Sequence, residues 1–595
     1  MMRERIYEDL TLILRRTRIV FYICAALCVF LLFYYWKVQI LDHDKYWKLG
    51  EANRTRVRVM TAPRGLIRDR EGGILAENTV GFRVSLDREN TPDLAASVAA
   101  MSRLLELDPE VLRERLAKTG DRTAFQPVVV KDNLTLEEVS RLESRRLELP
   151  EVIVEAEPKR AYPRHRFATH VLGYLQIMAP EDLQSPLGKR HRPSDMAGRT
   201  GIERQYDAIL TGTDGTLYEV VDSLGRSRGE ISRREPVQGR DLWLAMDSEL
   251  QQKAEELLGD REGAIVVLDT RTGELLTLAS FPTYDPNGFI SRFTPQEWVD
   301  LTTDPTFPLE NRAIRGLYSP GSIFKMVMAL GGLDAGAVGP GTTFYCAGST
   351  VIYGNPFGCW LASGHGPMNL SDAIKNSCNI YFYQVGRRLG IDQIANYAQL
   401  AGLGRKTGLD LPGEKDGLVP STEWKLRTAN APWFPGETIS VAIGQGPLLV
   451  TPLQIACLTA FVARRGVPVT PRLARADGPP PAPDRVAVPA SVFERVVEGM
   501  WRSVNDGGTG HAAAVAGFDI CGKTGSTQVI SRERAAQLAQ QGREVKTHSW
   551  FSGFAPRGEP RVAVTVLVEY GGGGGALAAV LAHDLFELYA RKYAR

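Results

Sequence analysis

In the segment Pro320-Gly321-Ser322-Ile323-Phe324-Lys325 a hydroxyl stands three residues before an amine, after a Pro-Gly turn and at the head of the apolar run Ile323–Leu330. The run reads as a buried helix starting at Ser322. Positions i and i+3 share a helical face, so the Lys325 amine is expected within hydrogen-bond reach of the Ser322 hydroxyl. The positive end of the helix dipole and apolar surroundings both disfavour an ammonium there. A neutral amine can take the hydroxyl proton, which makes a serine nucleophilic without histidine. Alone, Ser-x-x-Lys is a common accident of capped helices, but two later segments change its weight. Ser377-Cys378-Asn379 has the S-x-N form, and Lys523-Thr524-Gly525-Ser526-Thr527 has the K-T-G form on an expected strand. In this order the three motifs supply the parts of acyl transfer through a serine ester. Ser377 relays a proton between the lysine pair and the leaving amine, and Asn379 hydrogen-bonds a substrate amide. Lys523 and Thr524 suit a substrate carboxylate. Gly525 admits substrate backbone to the strand edge, and the backbone N–H groups of Ser322 and of Ser526 or Thr527 form an oxyanion hole.

A second polar cluster lies between the first two motifs. Cys346, Cys359, His365 and Cys378 form a Cys₃His set, the ligand chemistry of closed tetrahedral zinc sites. The alternative is a Cys346–Cys359 disulfide in an oxidising compartment, with Cys378 a small buried residue and His365 in a solvated loop. Five cysteines follow the apolar N-terminal run, an odd number that leaves one over in any disulfide framework. Cys457, in an apolar helix, and Cys521, in a strand, read as core.

The elements that must position these groups belong to more than one domain, since 595 residues exceed what one core usually serves. A formal charge of +2 names no polyanionic partner, so nucleic acid is not expected. Residues 19–36 (IVFYICAALCVFLLFYYW) carry no charge, Pro or Gly and are long enough to span hydrocarbon. Arg15, Arg16 and Arg18 precede them, while Lys37, Lys45 and Lys48 are sparser beyond, so residues 1–18 are expected to be a cytoplasmic tail. A cleavable signal is the alternative, but no A-x-A site follows. From 37 to 240 short β-like runs such as 81–86 alternate with helical stretches at 92–105 and 136–147, an extended α+β pedestal. Two turn-bearing segments, 64–70 and 197–203, punctuate it. From 241 to 595 the composition changes. Ser248 is expected to cap a helix through Leu258, and 264–268 and 275–279 flank a turn in a hairpin. Strands return at 549–554 and 562–569 before an amphipathic helix from 576 to 593. Strands enclosing a helical block imply an antiparallel sheet with helices on both faces. The Pro-rich stretch 478–489 and the glycine run 571–575 are expected to be surface loops.

The ordered motifs, with Arg64-Gly65-Leu66-Ile67-Arg68-Asp69, Thr200-Gly201-Ile202-Glu203, Tyr284-Asp285-Pro286-Asn287, Leu409-Asp410-Leu411-Pro412-Gly413-Glu414 and Ile443-Gly444-Gln445-Gly446, resemble class B penicillin-binding proteins. The elongation-specific members are most similar, although division-specific ones share several segments. The resemblance covers almost everything after the anchor. It implies a penicillin-binding, serine β-lactamase-like domain that cross-links peptidoglycan stem peptides, is acylated by β-lactams, and needs no cofactor for acyl transfer. It also implies a non-catalytic, dimerisation-like pedestal used for protein contacts, and a chain held in the bacterial inner membrane with its catalytic domain in the periplasm. No acidic E-D-x-x-F-type motif marks a glycosyltransferase, so a SEDS-type membrane glycosyltransferase and other elongation-complex membrane proteins are the implied partners. Some relatives carry a zinc held by two Asp, a His and the S-x-N Cys. Here His365 and Cys378 keep that spacing, while Cys346 and Cys359 stand where the carboxylates would, a softer set still compatible with zinc. A non-catalytic β-lactam sensor would keep Ser322 and Lys325, but such sensors usually carry several spans. A β-lactamase would need a deacylating group, for which no motif is found.

Overall fold

The computed structural model describes residues 2–87, 91, 93–118, 127–179, 181–185, 187–192, 195–222, 227–291, 293–475, 478, 483–527 and 547–593. The chain divides into two compact units. The first comprises Met1–Pro63, Val80–Lys159 and Gly212–Gln238, and the second Arg64–Thr79, Arg160–Thr211 and Gly239–Arg595. The units are therefore interleaved in sequence.

In the first unit the expected span at 19–36 lies inside one helix, Met2–Trp36, so the described part of the expected tail is helical and continuous with it. Among the described residues, Leu10–Leu41 is the one helical stretch long and apolar enough to cross a membrane. Strand Thr55–Met60 pairs antiparallel with Gly215–Val221, which pairs with Ser227–Arg234. A separate core gathers Val84, Leu86, Val98, Met101, Leu105, Leu112, Val130 and Leu142. The helix expected at 92–105 is Leu94–Leu105, capped by Asp93, with position 92 outside the described residues. The helix expected at 136–147 ends at Glu143 and begins in a reciprocal capping box of Thr135 and Glu138.

The second unit is organised by a five-stranded antiparallel sheet, in the order Leu275–Phe281, Gly263–Asp269, Val562–Val568, His548–Ala555, Cys521–Thr527. Alternate residues of one strand enter different cores. Ala264, Val266 and Leu268 face one side, with Phe461 of helix Pro452–Ala463, while Ile265 and Val267 face the other, with Leu585 and Phe586 of helix Ala576–Tyr593. Covering both faces explains why these strands read as unbroken apolar runs. The expected hairpin and C-terminal helix both form. The cap of helix Ser248–Leu258 differs. Asp247 accepts the N–H groups of Glu249 and Leu250, and the Ser248 hydroxyl instead bonds Asp69 Oδ2 at 2.5 Å.

The two turn-bearing segments meet in this unit. Glu203, fully buried, accepts from Arg64 Nη2 at 2.8 Å and Arg160 Nε at 2.6 Å. Burial opposes its ionisation, yet the two guanidinium groups hold its carboxyl below the usual range. A Cβ on Gly65 would lie 1.9 Å from the Arg240 carbonyl oxygen, and one on Gly201 would lie 2.5 Å from Gly173 N, so the glycines permit these backbone crossings. The Pro-rich stretch at 478–489 lies partly outside the described residues.

Candidate active site

The nucleophile motif opens as a 3₁₀ turn, Gly321–Phe324, and only from Lys325 to Asp334 becomes α-helix. The α-helix expected from Ser322 thus begins three residues later. Gly321 has φ +53°, and a Cβ there would lie 2.7 Å from Thr527 Cγ2 and 2.8 Å from Ser526 O. The missing side chain lets the turn close onto the lysine strand. Gly444, of the Ile-Gly-Gln-Gly segment, accepts the Gly321 N–H at 2.9 Å. A Cβ on Gly444 would lie 2.0 Å from the Gly321 carbonyl oxygen.

Lys325 is fully buried, whereas Ser322 is half-buried. Its amine donates to Asn379 Oδ1 at 2.7 Å, to Ser377 O at 2.8 Å and to Ser377 Oγ at 3.2 Å. These three acceptors use its donor capacity. The expected hydrogen bond to Ser322 is therefore not made, and among the described residues the Ser322 hydroxyl has no hydrogen-bond partner. Burial pushes the Lys325 amine down to about 8, against opposing charge from Cys378 and Cys359.

Ser377 and Cys378 join helix Leu370–Lys375 to helix Asn379–Leu389. Ser377 is held at φ +53°, a left-handed conformation that costs a side-chain-bearing residue. The Cys378 N–H bonds back to Ala373 O at 2.9 Å, which closes the turn.

Cys521–Thr527 is the edge strand of the sheet. Lys523 is fully buried and its amine makes one hydrogen bond among the described residues, to Thr524 O at 3.0 Å. Burial, and then the charge of Lys325, hold it well below the usual lysine range. Thr524 Oγ1 donates to Thr509 Oγ1 at 2.9 Å, a partner that no motif announces. Gly525 also faces the nucleophile turn. A Cβ there would meet Pro320 O and Ile323 Cγ1 at 3.0 Å, so the residue makes room for the nucleophile turn. The glycine run at 571–575 also departs from a plain surface loop, because buried Gly575 packs where a Cβ would be 2.8 Å from Thr524 Cβ. Ser526 is half-buried and Thr527 buried.

Cys346, Cys359, His365 and Cys378 also converge, their ligand atoms all within 4.8 Å of one another. Two short strand pairs carry this region, Phe344–Cys346 with Gly366–Met368 and Ser349–Ile352 with Asn355–Gly358. His365 Nδ1 lies 3.4 Å from Cys346 Sγ and 3.6 Å from Cys359 Sγ. A tetrahedral zinc with bonds of about 2.3 Å to sulfur and about 2.0 Å to nitrogen has S···N edges of about 3.5 Å, so the His365–Cys346 and His365–Cys359 pairs fit that ion. All seven cysteines are free thiols, and the Cys346–Cys359 disulfide is not formed. The Asn379 N–H donates to Cys359 Sγ at 3.4 Å, which ties the cluster to the S-x-N helix. A hydrogen bond from Cys378 pulls the Cys359 thiol down and leaves that of Cys378 raised. Cys457 sits in helix Pro452–Ala463 and Cys521 is buried in the edge strand, both away from the cluster.

A catalytic-type serine turn, a buried lysine bonded to an S-x-N turn and an edge strand bearing K-T-G together define a serine transpeptidase domain of the penicillin-binding class. The chain belongs to the penicillin-binding protein family: the penicillin binding protein transpeptidase domain matches residues 263–587, and the penicillin-binding protein dimerisation domain matches residues 59–244. The peptidoglycan D,D-transpeptidase MrdA of Acinetobacter baumannii is 34% identical over 567 residues, 93% of this chain and 84% of that protein. A solved complex between penicillin-binding protein 2 and MreC from Helicobacter pylori has a TM-score of 0.79 at 30% identity, covering 90% of this chain and 99% of that one. A structure described as the structural coordination of polymerization and crosslinking by a peptidoglycan synthase complex has a TM-score of 0.71 at 30% identity, covering 96% and 97%.

The left-handed Ser377 backbone generates a stability prediction. Neither Ser377→Gly nor Ser377→Ala keeps the hydroxyl, but only glycine is unstrained there, so the Gly variant is expected to be the more stable by roughly 1 kcal/mol. Urea unfolding of the two checks it, and equal midpoints would show that the turn is not strained.

Proposed function

We propose that this chain is a peptidoglycan D,D-transpeptidase that cross-links stem peptides during cell elongation through an acyl-enzyme on Ser322. The observation that carries the reading is the Lys325 amine, depressed by burial and bonded to both Ser377 and Asn379, one helical turn beyond the Ser322 hydroxyl. Lys325 takes the Ser322 proton as Oγ attacks the carbonyl carbon before the terminal D-alanine. The ester forms, the C–N bond breaks, and Ser377 relays the proton to the departing amine. An amine of a second stem peptide then attacks the ester, and Ser322 recovers its proton as the cross-link forms. Asn379 holds a substrate amide. Lys523 has donors to spare in its buried site, and with Thr524 it receives the substrate carboxylate. The backbone N–H groups of Ser322 and of Ser526 or Thr527 stabilise the oxyanion, and Gly525 keeps the nucleophile turn against that strand. A β-lactam is opened by the same attack, but its leaving amine stays tethered, which favours a lasting adduct.

The elongation role, over the septal one, rests on similarity to MrdA and to penicillin-binding protein 2. The one helix fitted for a membrane among the described residues, with Arg15, Arg16 and Arg18 on its N-terminal side, supports an inner-membrane anchor with a cytoplasmic N-terminus and a periplasmic catalytic unit. Glycan polymerisation then falls to a SEDS-type glycosyltransferase partner, and the pedestal meets other elongation-complex membrane proteins. Penicillin-binding protein 2 from Helicobacter pylori is solved in a complex with MreC.

The Cys₃His cluster holds one zinc in this reading, ligated by Cys346, Cys359, His365 and Cys378. A closed four-ligand site of this kind contributes folding free energy and no open position for chemistry. Cys378 carries the ligand inside the S-x-N turn, so the metal steadies Ser377 and Asn379.

Two outcomes test these assignments. Burial holds Lys325 at about 8, and only its neutral form accepts a proton, so acylation by benzylpenicillin should rise with pH through about 8 and level off above it. Lys325→Ala should lose that rise and at least about 10²-fold in rate. A profile flat from about pH 6 to about pH 9 would remove Lys325 as the base. For the metal, protein purified without added metal should contain about one zinc per chain, and chelation or Cys359→Ser should lower its melting temperature. Absence of metal, with melting indifferent to chelator, would contradict the site.

A further inference from the structure

We infer that Tyr318 and Glu569 are positioning residues for acyl transfer, fixing the nucleophile turn against the end of the lysine strand. This rests on the function proposed above and concerns residues that act through the nucleophile turn.

Tyr318 lies four residues before Ser322 and exchanges both backbone hydrogen bonds with Val450, each at 2.9 Å. Its hydroxyl donates to Glu569 Oε1 at 2.7 Å, and the same oxygen accepts Arg312 Nε at 2.7 Å. The carboxylate is itself immobilised. Arg312 is 4% exposed and its remaining donors go to Glu262 Oε2 at 2.9 Å, Thr306 O at 2.8 Å and Phe307 O at 3.4 Å. The Glu569 N–H bonds Glu262 O at 2.8 Å. Glu569 immediately follows the central strand Val562–Val568, so the phenol is tied to the end of the sheet's central strand.

The ring of Tyr318 makes the second half of the brace. It meets His548 edge to face with centroids 5.5 Å apart and Trp550 at 6.2 Å. His548 is registered with Thr527 and Trp550 with Gly525. The ring thus abuts the two residues directly across from the end of the lysine strand, where the oxyanion donors are assigned. Space for it is reserved by Gly316, where a Cβ would lie 2.4 Å from Tyr318 Cε2 and 2.6 Å from its hydroxyl. Packing alone needs only the ring. A partly buried phenol paired with a carboxylate is expensive to desolvate, and burial together with Glu569 keeps the phenol protonated as a fixed donor. Its placement fits a demand for sub-ångström alignment of Ser322 Oγ with the strand's N–H groups.

The test separates the acylation rate constant k2 from the preceding dissociation constant K, using benzylpenicillin and the detergent-solubilised full chain. Tyr318→Phe keeps the ring and is expected to lower k2 about tenfold to a hundredfold, with K within about twofold and only a small change in melting temperature. Glu569→Gln still offers an amide oxygen to Tyr318 but loses the charge facing Arg312. It should melt lower than Tyr318→Phe yet retain more of k2. An unchanged k2 in folded Tyr318→Phe, or losses of k2 that follow melting temperature across both variants, would overturn the positioning role. Failure of the unmodified chain to be acylated at Ser322 would instead overturn the proposed function beneath it.

Discussion

A lysine amine buried away from water and bonded to three oxygens of a single segment is the constraint on which the rest of this site depends. Removing an ammonium from water is costly unless hydrogen bonds replace the lost solvent. Lys325 meets that cost with Ser377 O, Ser377 Oγ and Asn379 Oδ1. Presenting all three oxygens to one amine requires the tight turn at Ser377, with its left-handed backbone. The turn brings Cys378 to the mouth of helix Asn379–Leu389 and into the Cys₃His cluster. One buried amine thus links a nucleophile turn, a strained loop and a potential metal centre. Its depressed basicity and its architectural role have the same origin in burial.

The second requirement is close approach of backbones. The nucleophile turn is pressed onto the edge strand from one side and onto the Ile-Gly-Gln-Gly segment from the other. At three of these contacts, Gly321, Gly444 and Gly525, a Cβ would lie 2.0–3.0 Å from a neighbouring atom. Gly575 extends the pattern behind Thr524. Such contacts leave little slack, since packed interiors do not deform continuously. The sheet supplies the stiffness, with both faces covered and the lysine strand at its edge.

Much of this was legible in the sequence because the informative patterns are local. Apolar runs bounded by turn residues located the Gly263–Phe281 hairpin and the last strand pair, and periodicity located helix Ala576–Tyr593. The three motifs announced their residues through order and type. What depended on distant partners was not legible. The direction of the Lys325 hydrogen bonds is set by Ser377 and Asn379, more than fifty residues away. Nothing near Gly525 in sequence revealed its close approach to Pro320 and Ile323. Asp247 and Ser248 are equally good caps by type, and Asp69 drew the serine away. The interleaving of the two units follows from buried ion pairs such as Arg64–Glu203, which join segments 139 residues apart.

The central claim is that Ser322 carries the acyl group. The most direct measurement is intact-protein mass after incubation with benzylpenicillin, followed by mapping of the adduct to a peptide. The account predicts one penicilloyl group per chain, confined to the peptide containing Ser322 and absent from folded Ser322→Ala. An adduct retained by folded Ser322→Ala, or located on any other residue of the unmodified chain, would contradict it.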